Sequence, residues 1–337
     1  MLDILTIGTI TQDMFLCGLD RIQMQKIKER PYLCLPLGAK LGVEKIVSTY
    51  GGSALNTAIS FKKQGLSVGI IGLNCSGEDT SKIPHLLKQN KITNFLYKVG
   101  SLAHLPLSII LVNADGERTI LNHKEDNYKW PKDILTTNMP DSRVVVVGSL
   151  NGQKEIWQAL FKQKKKKGFV LAVNPGRGDL DIFKNNPRFL NEIDVLMLNR
   201  EEGAYLTGEK YLNWQKIFKT LDQLINGIIV MTDGEKGSMV SDGQTVWSAA
   251  AITPETLIEK TGAGDAFLSG FVYGLYNQKG LLVFDKSANG IERALRLGTV
   301  NAYNVVRFVG ASTGLFSFKN LPIEIIEAAR IRTVDKI

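Results

Sequence analysis

The sequence predicts an α/β fold: a doubly wound, mostly parallel sheet flanked by helices, with a small β-sheet lid. Short apolar runs alternate with helical stretches, and several of these runs are apolar at consecutive positions. That pattern is typical of strands buried on both faces of a parallel sheet. Two stretches break this rhythm and return to it, which predicts a small β appendage outside the main sheet.

Six apolar runs predict the strands of the main sheet. They are Leu2–Gly8, Ser67–Gly72, Arg143–Gly148, Phe169–Val173, Ile193–Leu198 and Gly227–Thr232. The predicted helices are Ala54–Gln64, Lys154–Lys167, Glu201–Leu206, Trp214–Leu224, Ala263–Asn277, Ser287–Val306 and Pro322–Arg330, so the chain after Thr261 is mostly helical. Repetition of strand, helix and strand implies right-handed crossovers within one sheet.

The two irregular stretches, about residues 14–50 and 102–122, predict a lid made from discontinuous segments. Each contains short extended pieces with turn residues between them. The clearest turn is Asn113-Ala114-Asp115-Gly116, which lies between two apolar runs as in a β-hairpin.

The composition is that of a globular protein. The chain has 337 residues, of which 44% are hydrophobic and 22% charged, and this excludes a disordered chain. The net charge of +8 is modest and spread along the chain, so an anionic ligand such as a phosphate ester suits it as well as nucleic acid does. The Lys164–Lys167 run ends a predicted helix, where lysines suit the helix dipole and the solvent, and we expect no nucleic-acid partner.

The cysteines and the apolar runs indicate the compartment. Cys17, Cys34 and Cys75 form no Cys-x-x-Cys pair, which argues against a disulfide framework or a zinc site and favours a reducing cytoplasm. Every apolar run is of strand length, well short of the roughly 20 residues of a membrane span. We therefore expect a cytoplasmic protein without a membrane partner.

Glycines surround the start of the helix predicted at Ala263, in the segment Thr261-Gly262-Ala263-Gly264-Asp265. The free amides and the partial positive charge of a helix N-terminus bind phosphate. Asp265 falls in the first turn, where its carboxylate can accept a proton from an attacking hydroxyl. A plain capping turn, in which Asp265 stabilises the helix dipole, is the structural alternative.

A second glycine pair, Gly51-Gly52, precedes the helix predicted from Ala54. Paired glycines permit a tight turn whose amides face a polar ligand, and Asn56 can both donate and accept hydrogen bonds. A plain turn into an amphipathic helix explains the same residues, and both interpretations stay open.

Polar residues also follow two other predicted strands. Asn199 and Glu202 come after the strand Ile193–Leu198, and their spacing places them on one face of a helix start. Because ligands of open α/β sheets bind beyond the carboxyl ends of strands, the pair suits a hydrated Mg²⁺, but it equally suits an N-cap box. Thr232-Asp233-Gly234 lies at another strand's carboxyl end.

Taken together, these segments resemble the ribokinase-like (PfkB) family of carbohydrate and nucleoside kinases. The family's order is matched over nearly the whole chain by Asp13 after the first strand, Gly51-Gly52 with Asn56, Asn199-x-x-Glu202, Thr232-x-Gly234 and Thr261–Asp265. The resemblance implies a single domain over residues 1–337, with a lid over the substrate. It also implies a phosphotransferase that uses ATP and Mg²⁺ and has an alcohol group as acceptor.

The resemblance further implies a role for each matching residue. Asp265 would be the general base, and Gly262, Ala263 and Gly264 would form the anion hole for the transferred phosphoryl group. The acceptor would be bound by Asp13, Gly51, Gly52, Asn56 and Arg118, the nucleotide by Asn174, Asn199, Thr232, Gly234 and Thr261, and Mg²⁺ by Asn199 and Glu202, mainly through water.

One departure from the family concerns a monovalent cation. Where family members often have an aspartate that helps to bind the ion, this chain has Glu259, followed by Lys260. The glutamate carboxylate is one methylene further from the backbone and cannot occupy the same point without a backbone shift. The sequence therefore predicts a weak dependence on K⁺.

The acceptor stays open at this point. The main expectation is a small sugar, and the alternative is a nucleoside kinase with an aromatic stacking wall, for which Phe15, Tyr32 and Phe95 are candidates. A non-catalytic sugar- or nucleotide-binding regulator is a different class, and Asp265 argues against it because binding alone needs no base. A homodimer formed through the lid is a further expectation.

Overall fold

Strands and helices alternate along the computed structural model of the chain, which describes residues 1–19, 23–27, 30–77, 81–113, 118–126, 128–137, 139–278, 281–282, 284–317 and 323–334. The strands are β1 (Leu2–Ile7), β2 (Thr11–Leu19), β3 (Gln23–Ile27), β4 (Arg30–Cys34), β5 (Val43–Gly51), β6 (Val68–Ile71), β7 (Leu73–Asn74), β8 (Thr93–Asn94), β9 (Tyr97–Lys98), β10 (Leu107–Val112), β11 (Arg118–His123), β12 (Ser142–Val147), β13 (Val170–Val173), β14 (Val195–Asn199), β15 (Ile228–Thr232), β16 (Ser238–Ser241), β17 (Val246–Ala249), β18 (Asn277–Gln278), β19 (Leu281–Leu282) and β20 (Ile331–Val334).

The helices connect these strands. They are α1 (Ser53–Lys63), α2 (Lys82–Gln89), α3 (Ile134–Thr137), α4 (Lys154–Lys167), α5 (Arg177–Asn185), α6 (Arg200–Thr207), α7 (Trp214–Leu224), α8 (Ala263–Tyr276), α9 (Ala288–Val305) and α10 (Ile323–Ala328). Short 3₁₀ helices span Pro187–Glu192 and Gly234–Lys236. None of the helices that the structure describes combines the length and apolar composition needed to cross a bilayer.

The main sheet is doubly wound. Within the described residues its strand order is β20-β17-β16-β15-β14-β13-β12-β1-β6-β8. The strands from β15 to β8 run parallel, whereas β16, β17 and β20 pair antiparallel at one edge. The chain goes from β1 to β6 on one side and later adds β12 on the other, which makes β1 the point where the strand order reverses. The predicted, mostly parallel sheet is thereby confirmed.

Consecutive apolar residues explain why the central strands lie inside. In β12, Val144, Val145, Val146 and Val147 are all at most 2% exposed, so both faces of the strand are covered. A strand with this pattern is stable only in the middle of a sheet whose two faces are packed against other elements. The same reasoning predicted β1, β6, β13, β14 and β15.

The antiparallel edge of the main sheet is the part that the apolar runs do not predict. β16 and β17 are four residues each and include serines, and every residue of β20 is half-buried or exposed. Such strands lack the continuous apolar run of a central strand. The mostly helical C-terminal part therefore ends in a strand that completes the sheet.

A small separate sheet in the order β11-β10-β2-β5 forms the predicted lid, and we call these four strands the lid. β10 runs parallel to β2, and the other neighbours are antiparallel. The strands come from the two irregular stretches, although β2 begins at Thr11, before the predicted start at residue 14. The turn predicted to join β10 and β11 lies, for residues 114–116, outside the described residues.

Candidate active site

The polar residues singled out in the sequence lie at the carboxyl ends of the parallel strands. Asn174 directly follows β13, Asn199 ends β14 and Thr232 ends β15. Asn199 and Thr232 are paired across β14 and β15, so they are neighbours at the sheet edge. This edge, next to the strand-order reversal, is where open α/β sheets bind ligands.

Asp265 lies in the first turn of α8 and contacts Asn56 of α1. Asn56 Nδ2 donates a hydrogen bond to Asp265 Oδ2 over 2.8 Å. Burial raises the pKa of Asp265 to about 6; the hydrogen bond from Asn56 lowers the pKa, and the neighbouring charge of Asp13 raises it. A carboxylate with this pKa is ionised at neutral pH and more basic than an exposed aspartate.

Asp13 brings the lid into the site. It lies in β2, is only 4% exposed, and accepts a hydrogen bond from Thr11 Oγ1 at 2.8 Å. Burial raises its pKa, against the hydrogen bonds from Thr11 and Ser108. Gly51, opposite Thr11 at the end of β5, has no room for a side chain, because a Cβ there would collide with Asp13 Oδ2.

Asn56 connects the Asp265 carboxylate to the first helix. It lies in α1, which Gly52 caps, and it is 4% exposed. While Nδ2 is used by Asp265, Asn56 Oδ1 is buried and accepts no hydrogen bond from any described residue. A buried amide oxygen without a donor is costly, so this atom suits a hydroxyl donated by a ligand.

The loop before α8 has the conformation that its glycines allow. Gly262 has φ +80°, and a Cβ there would lie 2.6 Å from Ala311 Cα, so a larger residue would be both strained and crowded. Thr261 N donates to Glu259 Oε2 over 2.7 Å, and Ala263 begins the helix. The first amides of α8, at Gly264 and Asp265, have no acceptor within the helix.

Asn199 and Glu202 form a reciprocal capping box at the start of α6. Glu202 N donates to Asn199 Oδ1 and Asn199 N donates to Glu202 Oε2, both over 2.8 Å. Burial raises the pKa of Glu202, against the hydrogen bond from Asn199 N. The capping interpretation of the pair is therefore correct as local structure, and the second carboxylate oxygen of Glu202 is not part of the box.

A half-buried charge cluster holds the loop that carries Gly234. Asp233 accepts hydrogen bonds from Arg200 Nη1 at 2.7 Å and from Tyr211 OH at 2.5 Å. These bonds outweigh the effect of burial and lower the pKa of Asp233. Asn174 is held at the same edge, because its Nδ2 donates to Met197 O over 3.0 Å.

Arg118 lies on the lid, at the start of β11. Its charge acts on the carboxyl group of Glu259, which is completely buried just before the loop of Gly262. Burial raises the pKa of Glu259, and the hydrogen bonds from Thr261 and the charge of Arg118 oppose that rise. Arg118 is thus associated with the start of the α8 loop.

The three aromatic candidates lie in different parts of the structure. Phe15 is fully buried on the lid, packed with Ile110 and Val112. Tyr32 lies in β4, outside both the lid and the main sheet, and is 45% exposed. Phe95 follows β8 and is half-buried against the core of the main sheet, with its ring near the position of Gly69.

One polar cluster next to the first turn of α8 was not predicted from the sequence. Asn301 of α9 is fully buried, and its Nδ2 donates to Ala266 O at 2.8 Å, to Ser60 Oγ at 3.1 Å and to Ser269 Oγ at 3.2 Å. Ser269 Oγ also donates to Ser60 Oγ over 2.6 Å. The cluster joins α1, α8 and α9 directly beneath the first turn of α8. Its signal in the sequence is a set of polar residues within apolar helix faces.

The chain belongs to the pfkB family of carbohydrate kinases, whose sequence model matches residues 25–315. It is 26% identical to a 5-dehydro-2-deoxygluconokinase of Listeria innocua, over 76% of this chain and 80% of the relative. It is 24% identical to a nucleoside kinase of Methanocaldococcus jannaschii, over 84% of this chain and 87% of the relative. It is therefore a ribokinase-like sugar or nucleoside kinase, a phosphotransferase with an alcohol group as acceptor.

Solved structures share the fold at lower identity. The ribokinase of Giardia lamblia superimposes with a TM-score of 0.72 and 18% identity, covering 97% of this chain and 100% of that one. A nucleoside kinase of Burkholderia thailandensis, solved in complex with inosine, has a TM-score of 0.71 and 16% identity, covering 96% and 98%. The ribokinase-like fold class predicted from the sequence is thus confirmed.

Proposed function

We propose that the chain transfers the γ-phosphoryl group of ATP to a hydroxyl of a small sugar, with Asp265 as the general base. The observation that carries this proposal is the Asp265 carboxylate, held by Asn56 at the start of α8 with its pKa raised to about 6. Such a group takes the hydroxyl proton as the acceptor oxygen attacks the γ-phosphorus in line, and ADP leaves. The rest of the catalysis is positioning and charge stabilisation.

The acceptor hydroxyls would be bound around Asp13. Its carboxylate would accept hydrogen bonds, and Asn56 Oδ1 would accept one hydroxyl. Gly51 and Gly52 would support this arrangement, because a Cβ at Gly51 would displace Asp13 and a Cβ at Gly52 would collide with the Thr9 backbone. The absence of a donor for that buried oxygen among the described residues supports this arrangement. Arg118 has the least structural support as an acceptor contact, because its charge acts on Glu259.

The nucleotide would lie along the carboxyl ends of β13, β14 and β15 and end at α8. Gly262, Ala263 and Gly264 would form the anion hole, because a helix N-terminus presents amides and positive charge to a phosphoryl group. The other proposed nucleotide contacts are Asn174, Asn199, Thr232, Gly234 and Thr261.

Mg²⁺ would be held near Asn199 and Glu202, mainly through water. The second oxygen of the Glu202 carboxylate, which is not part of the capping box, suits this role, since Mg²⁺ keeps several waters and takes one or two carboxylates together with substrate phosphates. The described residues contain no cluster of three or more acidic, cysteine or histidine side chains that could form an all-protein metal site. When bound, Mg²⁺ neutralises phosphate charge.

A nucleoside is the second candidate acceptor. The relatives include kinases named for a nucleoside and for cytidine. Against this candidate, Phe15 is buried in its own apolar cluster, and Tyr32 lies on β4, outside both the lid and the main sheet. A non-catalytic regulator remains the third candidate, and turnover of any acceptor would exclude it.

Further expectations concern the partners of the protein and its compartment. We expect a small-molecule acceptor, a reducing cytoplasm in keeping with the free thiols of Cys17, Cys34 and Cys75, and a homodimer formed through the lid. Light scattering of the purified protein would test the dimer.

An acceptor panel assayed by ATP consumption tests the proposed function. It would contain ribose, fructose, 2-keto-3-deoxygluconate, 5-dehydro-2-deoxygluconate, adenosine, inosine and cytidine. We expect turnover with a sugar and none in the Asp265→Asn variant. Preference for a nucleoside would establish the second candidate, and no consumption with any acceptor would contradict the proposal.

A further inference from the structure

An ion pair joins the two loops that the proposed nucleotide site needs. Lys260 Nζ lies 2.9 Å from Glu235 Oε1. Lys260 directly precedes Thr261 in the loop before α8, and Glu235 directly follows Gly234 in the loop after β15. Thr261 and Gly234 both belong to the proposed nucleotide contacts. The ion pair therefore lies beside the proposed nucleotide site.

The two partners differ strongly in exposure. The Lys260 side chain is 21% exposed, whereas the Glu235 side chain is 80% exposed. The Lys260 backbone is tied to the helix start, because Lys260 O accepts a hydrogen bond from Ala263 N at 3.3 Å. The ammonium is thus held between the loops, and the carboxylate reaches it from the solvent side. An ion pair with so exposed a partner contributes little to stability and can be exchanged easily.

Two other cations that interact with the loop after β15 are bound differently. Arg200 donates to Asp233 and to the carbonyl oxygens of Tyr211 and Leu212, so it holds the loop together. Lys236 is 65% exposed and lies 3.7 Å from the largely buried Asp233. Lys260 is the one of these three cations that combines a sheltered position with a solvent-exposed carboxylate partner.

We propose that Lys260 binds the phosphates of ATP and that Glu235 holds its ammonium while no nucleotide is bound. On binding, Lys260 exchanges the carboxylate for a phosphate oxygen, and Glu235 returns to the solvent. The polyphosphate carries more charge than one carboxylate, and a lysine ammonium binds phosphate as a point charge. This inference rests on the proposed nucleotide site and adds a binding residue to it.

Four variants test the exchange by calorimetry with MgATP and with adenosine as separate probes. Lys260→Met should weaken MgATP binding by about tenfold, which corresponds to about 1.4 kcal/mol, and leave adenosine binding unchanged. Lys260→Arg should retain most of the affinity, because the charge remains. Glu235→Gln should tighten MgATP binding, because it removes the competing carboxylate. Lys236→Met, a matched change on the same 3₁₀ turn, should leave the affinity unchanged.

The sign of the Glu235→Gln effect distinguishes exchange from a structural brace. If Glu235→Gln and Lys260→Met both weaken MgATP binding and both lower the melting temperature, the pair only holds the loops together and the inference is wrong. An unchanged affinity in Lys260→Met, or an equal loss of adenosine binding, also overturns it. A wild-type protein that binds MgATP but phosphorylates no acceptor would contradict the proposed function without affecting this result.

Discussion

At the scale of single residues, Asp265 can be tested as a base against its alternative as a helix cap. Asp265→Asn keeps the shape of the side chain but cannot accept the proton, so we expect turnover to fall by about 10²–10⁴-fold while ATP binding persists. Steady-state kinetics and calorimetry on the same preparation measure the two quantities.

Glu155→Gln is the matched control for that change, because Glu155 is also a first-turn acid, at the exposed start of α4. It should leave turnover unchanged. If Asp265→Asn also retains near wild-type kcat and only lowers the melting temperature, Asp265 is a cap and the assignment as base is wrong.

The environment of Asp265 also predicts the pH dependence of the reaction. Its pKa of about 6 means that the base loses its charge as the pH falls below 6, so kcat/KM should decrease on the acidic side with a midpoint near pH 6. Asp13→Asn removes a neighbouring negative charge and should move this midpoint to lower pH. Asn56→Ala removes the hydrogen bond that stabilises the carboxylate and should move it to higher pH.

Full pH profiles of kcat/KM for the three proteins check this prediction. Both variants should also raise the KM for the acceptor more than the KM for ATP. Midpoints that shift in the same direction, or an acidic limb that is absent from the wild type, would show that another group controls the profile.

The candidate site residues that the sequence indicates lie next to a recognisable backbone feature, either glycines at a helix start or the end of a buried strand. Asp265 and Asn56 follow glycines at a helix start, and Asn199 follows a buried strand. Asn301 carries no such signal, because its partners Ser60 and Ser269 are far away in the chain and meet only after α1, α8 and α9 have packed. The effect of the Arg118 charge on Glu259 likewise depends on how the lid lies relative to the loop before α8.

At the scale of secondary-structure elements, the start of α6 separates capping from metal binding. Asn199→Ala removes the observed cap and should lower the stability by about 1 kcal/mol. If the pair also holds hydrated Mg²⁺, Asn199→Ala and Glu202→Ala should raise the Mg²⁺ concentration needed for half-maximal rate.

Ser287→Ala is the control for this pair, since Ser287 caps α9 by accepting a hydrogen bond from Gly290 N at 3.2 Å. It should lower the melting temperature and leave the Mg²⁺ titration unchanged. The same behaviour in the α6 variants would mean that Asn199 and Glu202 serve only as a cap.

The polar cluster of Ser60, Ser269 and Asn301, which joins α1, α8 and α9, gives a second prediction at this scale. Asn301→Ala removes one hydrogen-bond donor each from the Ala266 carbonyl and the two serine hydroxyls inside the core, which should cost about 1–3 kcal/mol. Because Ala266 follows Asp265, kcat should fall as well. Asn289→Ala, an exposed position on the same helix, is the control for both urea unfolding and kcat. Unchanged stability in Asn301→Ala would show that the core relaxes around the loss.

Helices and strands could be predicted where their buried positions require apolar residues in a regular pattern. α4 and α7 have the predicted ends, Lys154–Lys167 and Trp214–Leu224, because their apolar residues recur on one face and face the core. The strands β16, β17 and β20 were not, because an edge strand needs fewer apolar residues. The short helix α5 escaped for a similar reason: of its nine residues, three are buried.

At the scale of the whole molecule, the lid reaches the catalytic loop through a second loop. Val309 packs against the lid cluster of Phe15, and the position of Gly310 faces Thr49 of β5. Ala311 in turn packs against Gly262 before α8. The lid and the proposed anion hole are therefore in one continuous contact. The boundaries of the single domain over residues 1–337 remain a prediction, which limited proteolysis would test.

The same region determines our expectation for a monovalent cation. The carboxyl group of Glu259 is completely buried; its Oε2 accepts from Thr261 N, and its Oε1 accepts no hydrogen bond from a described residue. An oxygen of this kind suits a cation. However, the positive charge of Arg118 on the lid already acts on this carboxyl group, whereas Lys260 is paired with Glu235.

We therefore predict a weak response to K⁺, less than about tenfold between K⁺ and Na⁺ buffers, or under about 1.4 kcal/mol. Steady-state rates at fixed ionic strength, with K⁺ exchanged for Na⁺ or tetramethylammonium, measure it. Arg118→Met leaves the buried carboxyl group without its cation, so this variant should depend on K⁺ more strongly than the wild type. A large activation of the wild type by K⁺, unaltered in Arg118→Met, would show that Glu259 binds the ion as an aspartate does and that the lid arginine does not compensate its charge.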